Sequence, residues 1–132
     1  MGFGLPAAIA AKLARPDRPV VALIGDGCFQ MTAGEVAVAR RLGLALPIVV
    51  LDDGWLSLIQ VKQVRRDFAL YGTDLGEHAH VDPPAHYFGV PAVAARSAPE
   101  LARALKTALA ADHPTVIEAM VDPSHYLETV YD

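Results

Sequence analysis

The chain has 132 residues, a 53% apolar fraction and a formal net charge of −4, enough for one domain with its own core and without the basic stripe of a nucleic-acid binder. The single cysteine, Cys28, excludes an internal disulfide and fits a reducing compartment, with the cytoplasm as the expected location. No apolar run reaches the roughly 20 residues of a membrane helix, and the start, Met1-Gly2-Phe3-Gly4-Leu5-Pro6, lacks the basic opening of a secretion signal.

Residues 5–14 read as a helix, because Leu5, Ile9 and Leu13 recur at four-residue spacing. Pro6 suits its first turn, its alanines keep the surface thin, and Pro16 stops it. Residues 20–25 form a strand whose continuous apolar run predicts burial on both faces of a parallel sheet. Gly25-Asp26-Gly27 ends it, in a turn open enough for a ligand to come close. Thr32-Ala33-Gly34-Glu35 matches a capping box and predicts a helix from Thr32, with Val38 and Leu42 on one face and Gly43 at its end. Residues 47–51 form a second apolar strand, followed by Asp52-Asp53-Gly54.

Residues 55–69 read as helical, with Lys62, Arg65 and Arg66 on a solvated face. The stretch from Tyr71 to Pro84, about 14 residues, is long for a connection and points to a functional loop. A short helical turn is expected over 85–88, a strand over 90–94, a helix over 99–111 entered from Ser97 or Ala98, and a fourth strand over 115–121. The tail from Asp122 to Asp132, with Tyr126 and Tyr131, is expected to pack on a partner. Helix and strand alternate throughout, which implies an α/β layered fold with a mostly parallel sheet and right-handed crossovers.

Two apolar strands therefore end in acid, at Asp26 and at Asp52-Asp53. Ligands of open parallel sheets sit beyond the carboxyl ends of the strands. If the two strands are neighbours, their backbones lie about 4.8 Å apart, and the carboxylates repel unless a cation or proton intervenes. Mg²⁺ suits the place, since one or two carboxylates with phosphate and water complete its octahedron. Backbone N–H groups of residues 27–29 can point at a phosphate. Other polar residues read more plainly. Cys28 is a small residue tolerated at the turn. His78, His80 and His86 are spaced too loosely for a zinc site, and His113 and His125 are surface residues. Glu118 is expected to face polar neighbours at a sheet edge.

Gly25-Asp26-Gly27, with Asp53 following after 25 residues, resembles the thiamine diphosphate motif, which opens Gly-Asp-Gly and closes roughly 25–30 residues later with Asn-Asn. Met1-Gly2-Phe3-Gly4-Leu5-Pro6-Ala7-Ala8, Phe29-Gln30-Met31-Thr32 and Glu35 are similar to the acetolactate synthase-like members of that family. The resemblance covers nearly the whole chain and implies a three-layer sandwich of the thiamine diphosphate-binding type. It implies Mg²⁺ held by Asp26, by Asp53 and by the backbone carbonyl of Trp55. Gly25, Gly27 and Cys28 would meet the diphosphate, the last two through backbone groups, and Met1 would prop the cofactor in its bent form. The cofactor carries the reaction and the protein positions it.

Three departures accompany the match. Asp52-Asp53 stands in place of the asparagine pair. Leu58 and Lys62 stand where acetohydroxyacid synthases carry the methionine and tryptophan that shape the second-substrate pocket, so Lys62 would offer a cation to a substrate carboxylate. The chain also starts at the Met1 position, so the pyrimidine-binding domain and the first part of the diphosphate domain are not in it. Residues 1–132 are thus expected to be a piece of a longer lyase or transferase acting on 2-oxo acids, assembled as a homodimer or homotetramer and inactive alone. One alternative is a non-catalytic remnant of the fold. Another is a phospho-acceptor receiver module, which wants a lysine at the end of a late strand. Here that strand ends Val121-Asp122-Pro123-Ser124.

Overall fold

The structure, a computed structural model, describes residues 1–75 and 83–129. Its centre is a five-stranded sheet in the order β1-β2-β5-β4-β3. β1 (Ala22–Gly25), β2 (Pro47–Asp52), β5 (Thr115–Met120) and β4 (Val90–Ala95) run parallel, and β3 (His86–Tyr87) adds antiparallel to β4. Side chains alternate across the strands, and two cores follow. Ala22, Ile24, Ile48, Val50 and Val116 pack under α1 (Gly4–Ala14), α2 (Asp26–Thr32) and α3 (Glu35–Arg41). Val49, Ile117 and Ala119 pack under α5 (Ala98–Ala110) on the opposite face. The three layers and the parallel sheet are those the sequence predicts. Two further helices, α4 (Ser57–Arg65) and α6 (Tyr126–Thr129), lie at the carboxyl end of the sheet and pack on each other. No helix among the described residues is long and apolar enough to cross a membrane.

Several local expectations are corrected. β1 is buried on one face only: Ala22 and Ile24 point inward while Leu23 is 65% exposed. It is the terminal strand of the sheet, and α5 packs mainly on β2, β4 and β5. Thr32 does not cap a helix. The chain turns into α2 directly at Asp26, Thr32 closes that helix, and its hydroxyl donates back to the Cys28 carbonyl at 3.2 Å. α3 starts afresh at Glu35 and buries Val36 and Ala39, leaving Val38 half-buried and Leu42 exposed.

The helical turn expected over 85–88 is instead a hairpin. Phe88 (φ 51°) and Gly89 (φ 80°) form the two-residue left-handed turn between β3 and β4, the geometry that matches strand twist. Its usual Asn-Gly signal is missing, which hid it. Glu118 sits on β5, a central strand rather than an edge, and accepts a hydrogen bond from the Tyr87 hydroxyl. Ser97 is the N-cap of α5, with its hydroxyl accepting from the Glu100 N–H. His86 and His125 are exposed. His78, His80 and Tyr131 lie outside the described residues.

Candidate functional site at the carboxyl ends of β1 and β2

β1 and β2 are adjacent, in parallel register from Ala22 with Ile48 to Gly25 with Leu51. That pairing brings Asp26 and the Asp52-Asp53 pair to one edge. Asp26 Oδ1 accepts from its neighbour's N–H, Gly27, at 2.6 Å. Asp26 Oδ2 accepts from the Gly54 N–H at 2.9 Å, and Asp52 Oδ1 takes the same N–H at 3.1 Å. Gly54 thus stitches the two strand-end turns together. It does so with φ at 76°, a conformation costing a side-chain-bearing residue about 1–2 kcal/mol. Asp53 works differently. Its Oδ1 accepts from the Trp55 N–H at 2.9 Å and its Oδ2 from the Ser57 hydroxyl at 2.7 Å, so the carboxylate fastens the entry to α4.

Above these turns lies a cleft of about 350 Å³. Met1, Gly25, Asp26, Gly27, Cys28, Asp53, Trp55 and Leu58 all line it. Lys62 does not; it is exposed, one turn further along α4. Leu51, Leu56, Ser57, Ile59 and Tyr126 join the lining. Leu56 meets Gly27 closely, since a Cβ there would sit 2.5 Å from Leu56 Cδ2. Tyr126 comes from the C-terminal tail, whose helix α6 packs on α4 of its own chain.

The electrostatics follow from burial first and from crowded acid second. Asp26 is pushed up to about 6, chiefly by burial and further by Asp52 and Asp53, against the pull of the Gly27 and Gly54 N–H groups. Tyr126 is also raised above the ordinary phenol value, by burial first and then by the Asp53 carboxylate, so it stays a protonated donor. Among the described residues no three carboxylate, imidazole or thiolate groups converge tightly enough to hold one ion. A cation here would take two carboxylates, Asp26 and Asp53, and find its other ligands outside the side chains. The donor set, hard oxygens few in number beside an open cleft, fits Mg²⁺ bridging to a phosphate.

Comparison with known proteins decides what the cleft belongs to. The profile of the thiamine pyrophosphate enzyme C-terminal TPP binding domain matches residues 1–119. The chain belongs to that family. It is 32% identical over 132 residues to the acetolactate synthase large subunit of Lactococcus lactis, covering 96% of this chain and 22% of that protein. Acetolactate synthase isozyme 2 large subunit of Escherichia coli is 34% identical over 123 residues, covering 92% of this chain and 22% of that subunit. The fold superposes on a thiamine diphosphate-dependent 4-hydroxybenzoylformate decarboxylase of Rhodococcus jostii with a TM-score of 0.82 and 32% identity, over 92% of this chain and 23% of that one. The chain thus spans less than a quarter of these relatives, as a thiamine pyrophosphate-binding domain of the acetolactate synthase-like and decarboxylase enzymes.

Sequence reasoning missed Leu56, Ser57 and Tyr126 at the cleft. Ser57 carried a usable signal: an aspartate four residues ahead of a serine at a helix entry suits a local hydrogen bond. Tyr126 carried none, because a one-turn helix has no periodicity to read.

Proposed function

We propose that this domain holds the diphosphate of thiamine diphosphate through a Mg²⁺ ion bound by the carboxylates of Asp26 and Asp53 and the backbone carbonyl of Trp55. It serves a lyase or transferase acting on a 2-oxo acid, completed by chain outside these residues and working as a homodimer or homotetramer in the cytoplasm. The observation that carries this reading is the meeting of Asp26 and Asp53 in one cleft at the carboxyl ends of adjacent parallel strands. Gly27 and Cys28 lie beside them and offer backbone groups to the phosphates, with Gly25 giving the turn its room. Met1, 74% exposed at the rim of the cleft, is an apolar prop for the cofactor. Leu58, also on the rim, and Lys62 beyond it face the substrate side, where the ammonium meets a carboxylate. When bound, thiamine diphosphate supplies a nucleophilic carbon for attack on a 2-oxo group.

Isothermal titration of the protein with thiamine diphosphate, with Mg²⁺ present and then chelated, tests the reading. Binding that requires both cofactor and metal is expected; heat independent of the metal would sink the metal clamp.

A second expectation concerns pH. Metal binding needs Asp26 ionised, and its value of about 6 means that protons compete below that point. Apparent affinity should rise with pH up to about 6 and level off above it. One unit below, about a tenth of the molecules keep the carboxylate, so binding weakens about tenfold. In the metal-free protein the sign is opposite: a carboxylate raised from 3.8 to about 6 favours the folded state at low pH, and that contribution fades as pH rises through the interval. Titrations between pH 5 and pH 8, roughly spanning this value, check the first part.

A further inference from the structure

α4 ends by turning back on itself. Asp67 takes a left-handed φ of 52°. The Phe68 N–H returns to the Gln63 carbonyl at 2.9 Å and the Asp67 N–H to the Val64 carbonyl at 3.1 Å. That pair of bonds is the Schellman stop of a helix, and it sends the chain back along its own last turn. The Gln63 side chain meets it there. Its Nε2 donates to the Tyr71 carbonyl at 3.0 Å. Its Oε1 accepts from the Tyr71 N–H and from the Thr73 hydroxyl, each at 3.4 Å. An amide suits the task because one end donates and the other accepts. Thr73 is 2% exposed, so its hydroxyl depends on a protein partner.

The segment so held pairs with the chain just past Asp53. The Leu56 N–H donates to the Thr73 carbonyl at 2.7 Å, and the Leu75 N–H to the Gly54 carbonyl at 3.0 Å. These two bonds flank Trp55 and Asp74, which stand opposite each other as an antiparallel bridge. In such a pair the flanking residues make the cross-chain bonds, and the pair's own N–H and C=O groups point out of the ladder. The Trp55 N–H does so and donates to Asp53 Oδ1 at 2.9 Å. The bridge turns the Trp55 carbonyl to that same outer edge, on the side of the Asp53 carboxylate. Leu75 also reaches the diphosphate turn: its Cδ1 is 3.9 Å from where a Cβ on Gly27 would stand.

We propose that Gln63 is a positioning residue of the metal site: by clamping residues 71–73 it fixes the bridge that aims the Trp55 carbonyl. The inference rests on the reading of that carbonyl as a ligand of the Mg²⁺–diphosphate clamp. A backbone carbonyl has no side-chain torsion of its own, so its direction is set by the ladder around it. This ladder is a single bridge, and Gln63 ties down its outer strand. Mg²⁺ demands a near-ideal octahedron whereas Ca²⁺ accepts flexible coordination. A carbonyl that loses its aim therefore costs Mg²⁺ more.

Gln63→Met keeps the length and helix preference of the side chain and removes its three hydrogen bonds. Without metal or cofactor, hydrogen exchange at the Leu56 and Leu75 amides should speed up about tenfold, while the amides of β2 and β5 keep their protection. Calorimetry with thiamine diphosphate should show binding about tenfold weaker with Mg²⁺, as expected for a group that orients a metal ligand, and a smaller loss with Ca²⁺. Thr73→Val breaks the hydroxyl bond alone and should move both readouts the same way by less, which keeps the test open if Gln63→Met does not fold. Added to Gln63→Met, it should have little further effect on either readout. Unchanged exchange at Leu56 and Leu75 overturns the clamp by Gln63. Faster exchange with wild-type binding, or an equal loss with both ions, overturns the aiming role. Failure of the wild-type protein to bind thiamine diphosphate with either ion overturns the carbonyl as a ligand, and its aiming with it; the exchange result then still judges the hold of Gln63 on the bridge.

Discussion

Replacing Asp26 by alanine should abolish Mg²⁺-dependent binding of thiamine diphosphate and leave the metal-free fold intact. Removing one member of a partly buried charge pair costs about 3–5 kcal/mol, which is more than a hundredfold in affinity. The effect on folding is far smaller because two changes oppose each other. The Gly27 and Gly54 N–H groups lose an acceptor, although Gly54 keeps Asp52 at 3.1 Å. At the same time the burial of a charge, which chiefly lifts Asp26 to about 6, and its smaller repulsion from Asp52 and Asp53 disappear. The melting temperature should move by only a few degrees, with far-ultraviolet circular dichroism unchanged. Asp52→Ala is the matched control. Asp52 shares the Gly54 N–H but does not line the cleft, so its loss should weaken binding only a few-fold. Equal losses at both positions would mean that general negative charge, rather than ligation by Asp26, drives the interaction. Calorimetry on the three proteins gives the answer.

The layers of the fold and the heart of the cleft were legible because their signals are long or rigid. The continuous apolar run at 47–51 and the mostly apolar, β-branched start of 115–121 read as strands, and they became β2 and β5. Gly25-Asp26-Gly27 and Asp53 were legible because a turn after a strand places its residues at a known edge, and the adjacency of β1 and β2 brought them together. The features that escaped depend on tertiary geometry. The apolar run 20–25 says nothing about Leu23 being exposed, which follows from β1 lying at the sheet's end. The Phe88-Gly89 turn breaks the usual composition rule, since a phenylalanine at φ 51° is held there by the strands on either side. Thr32 fits a capping pattern, but the helix had already begun at Asp26, so its hydroxyl had only the Cys28 carbonyl to meet. Lys62 was placed by the family resemblance alone, and it lies one turn along α4 beyond the cleft that Leu58 borders.

Gly4→Ala should be the most damaging small substitution outside the cleft. Alanine in place of glycine near a helix start ordinarily stabilises by about 0.5–1 kcal/mol. Here the sign reverses. A Cβ on Gly4 would lie 2.4 Å from Ile24 Cγ2, well inside any real contact. Ile24 is 7% exposed in β1, and a β-branched side chain has few rotamers through which to retreat. Relief must come from α1 tilting off the sheet or β1 shifting beneath it, at about 1–3 kcal/mol for overpacking. For a chain of this size that lowers the melting temperature by roughly 3–10 °C. The strain has a functional consequence, because Ile24 lies two residues before Asp26 and α1 packs on α2. Cofactor affinity should therefore drop although Gly4 does not line the cleft. The cause can be isolated with Ile24→Ala, which removes the clashing methyl and is itself destabilising by about 2–5 kcal/mol. If the contact is responsible, the double variant should be more stable than the sum of the two losses predicts, by at least about 0.5 kcal/mol. Strict additivity in urea melts would place the cost elsewhere in α1.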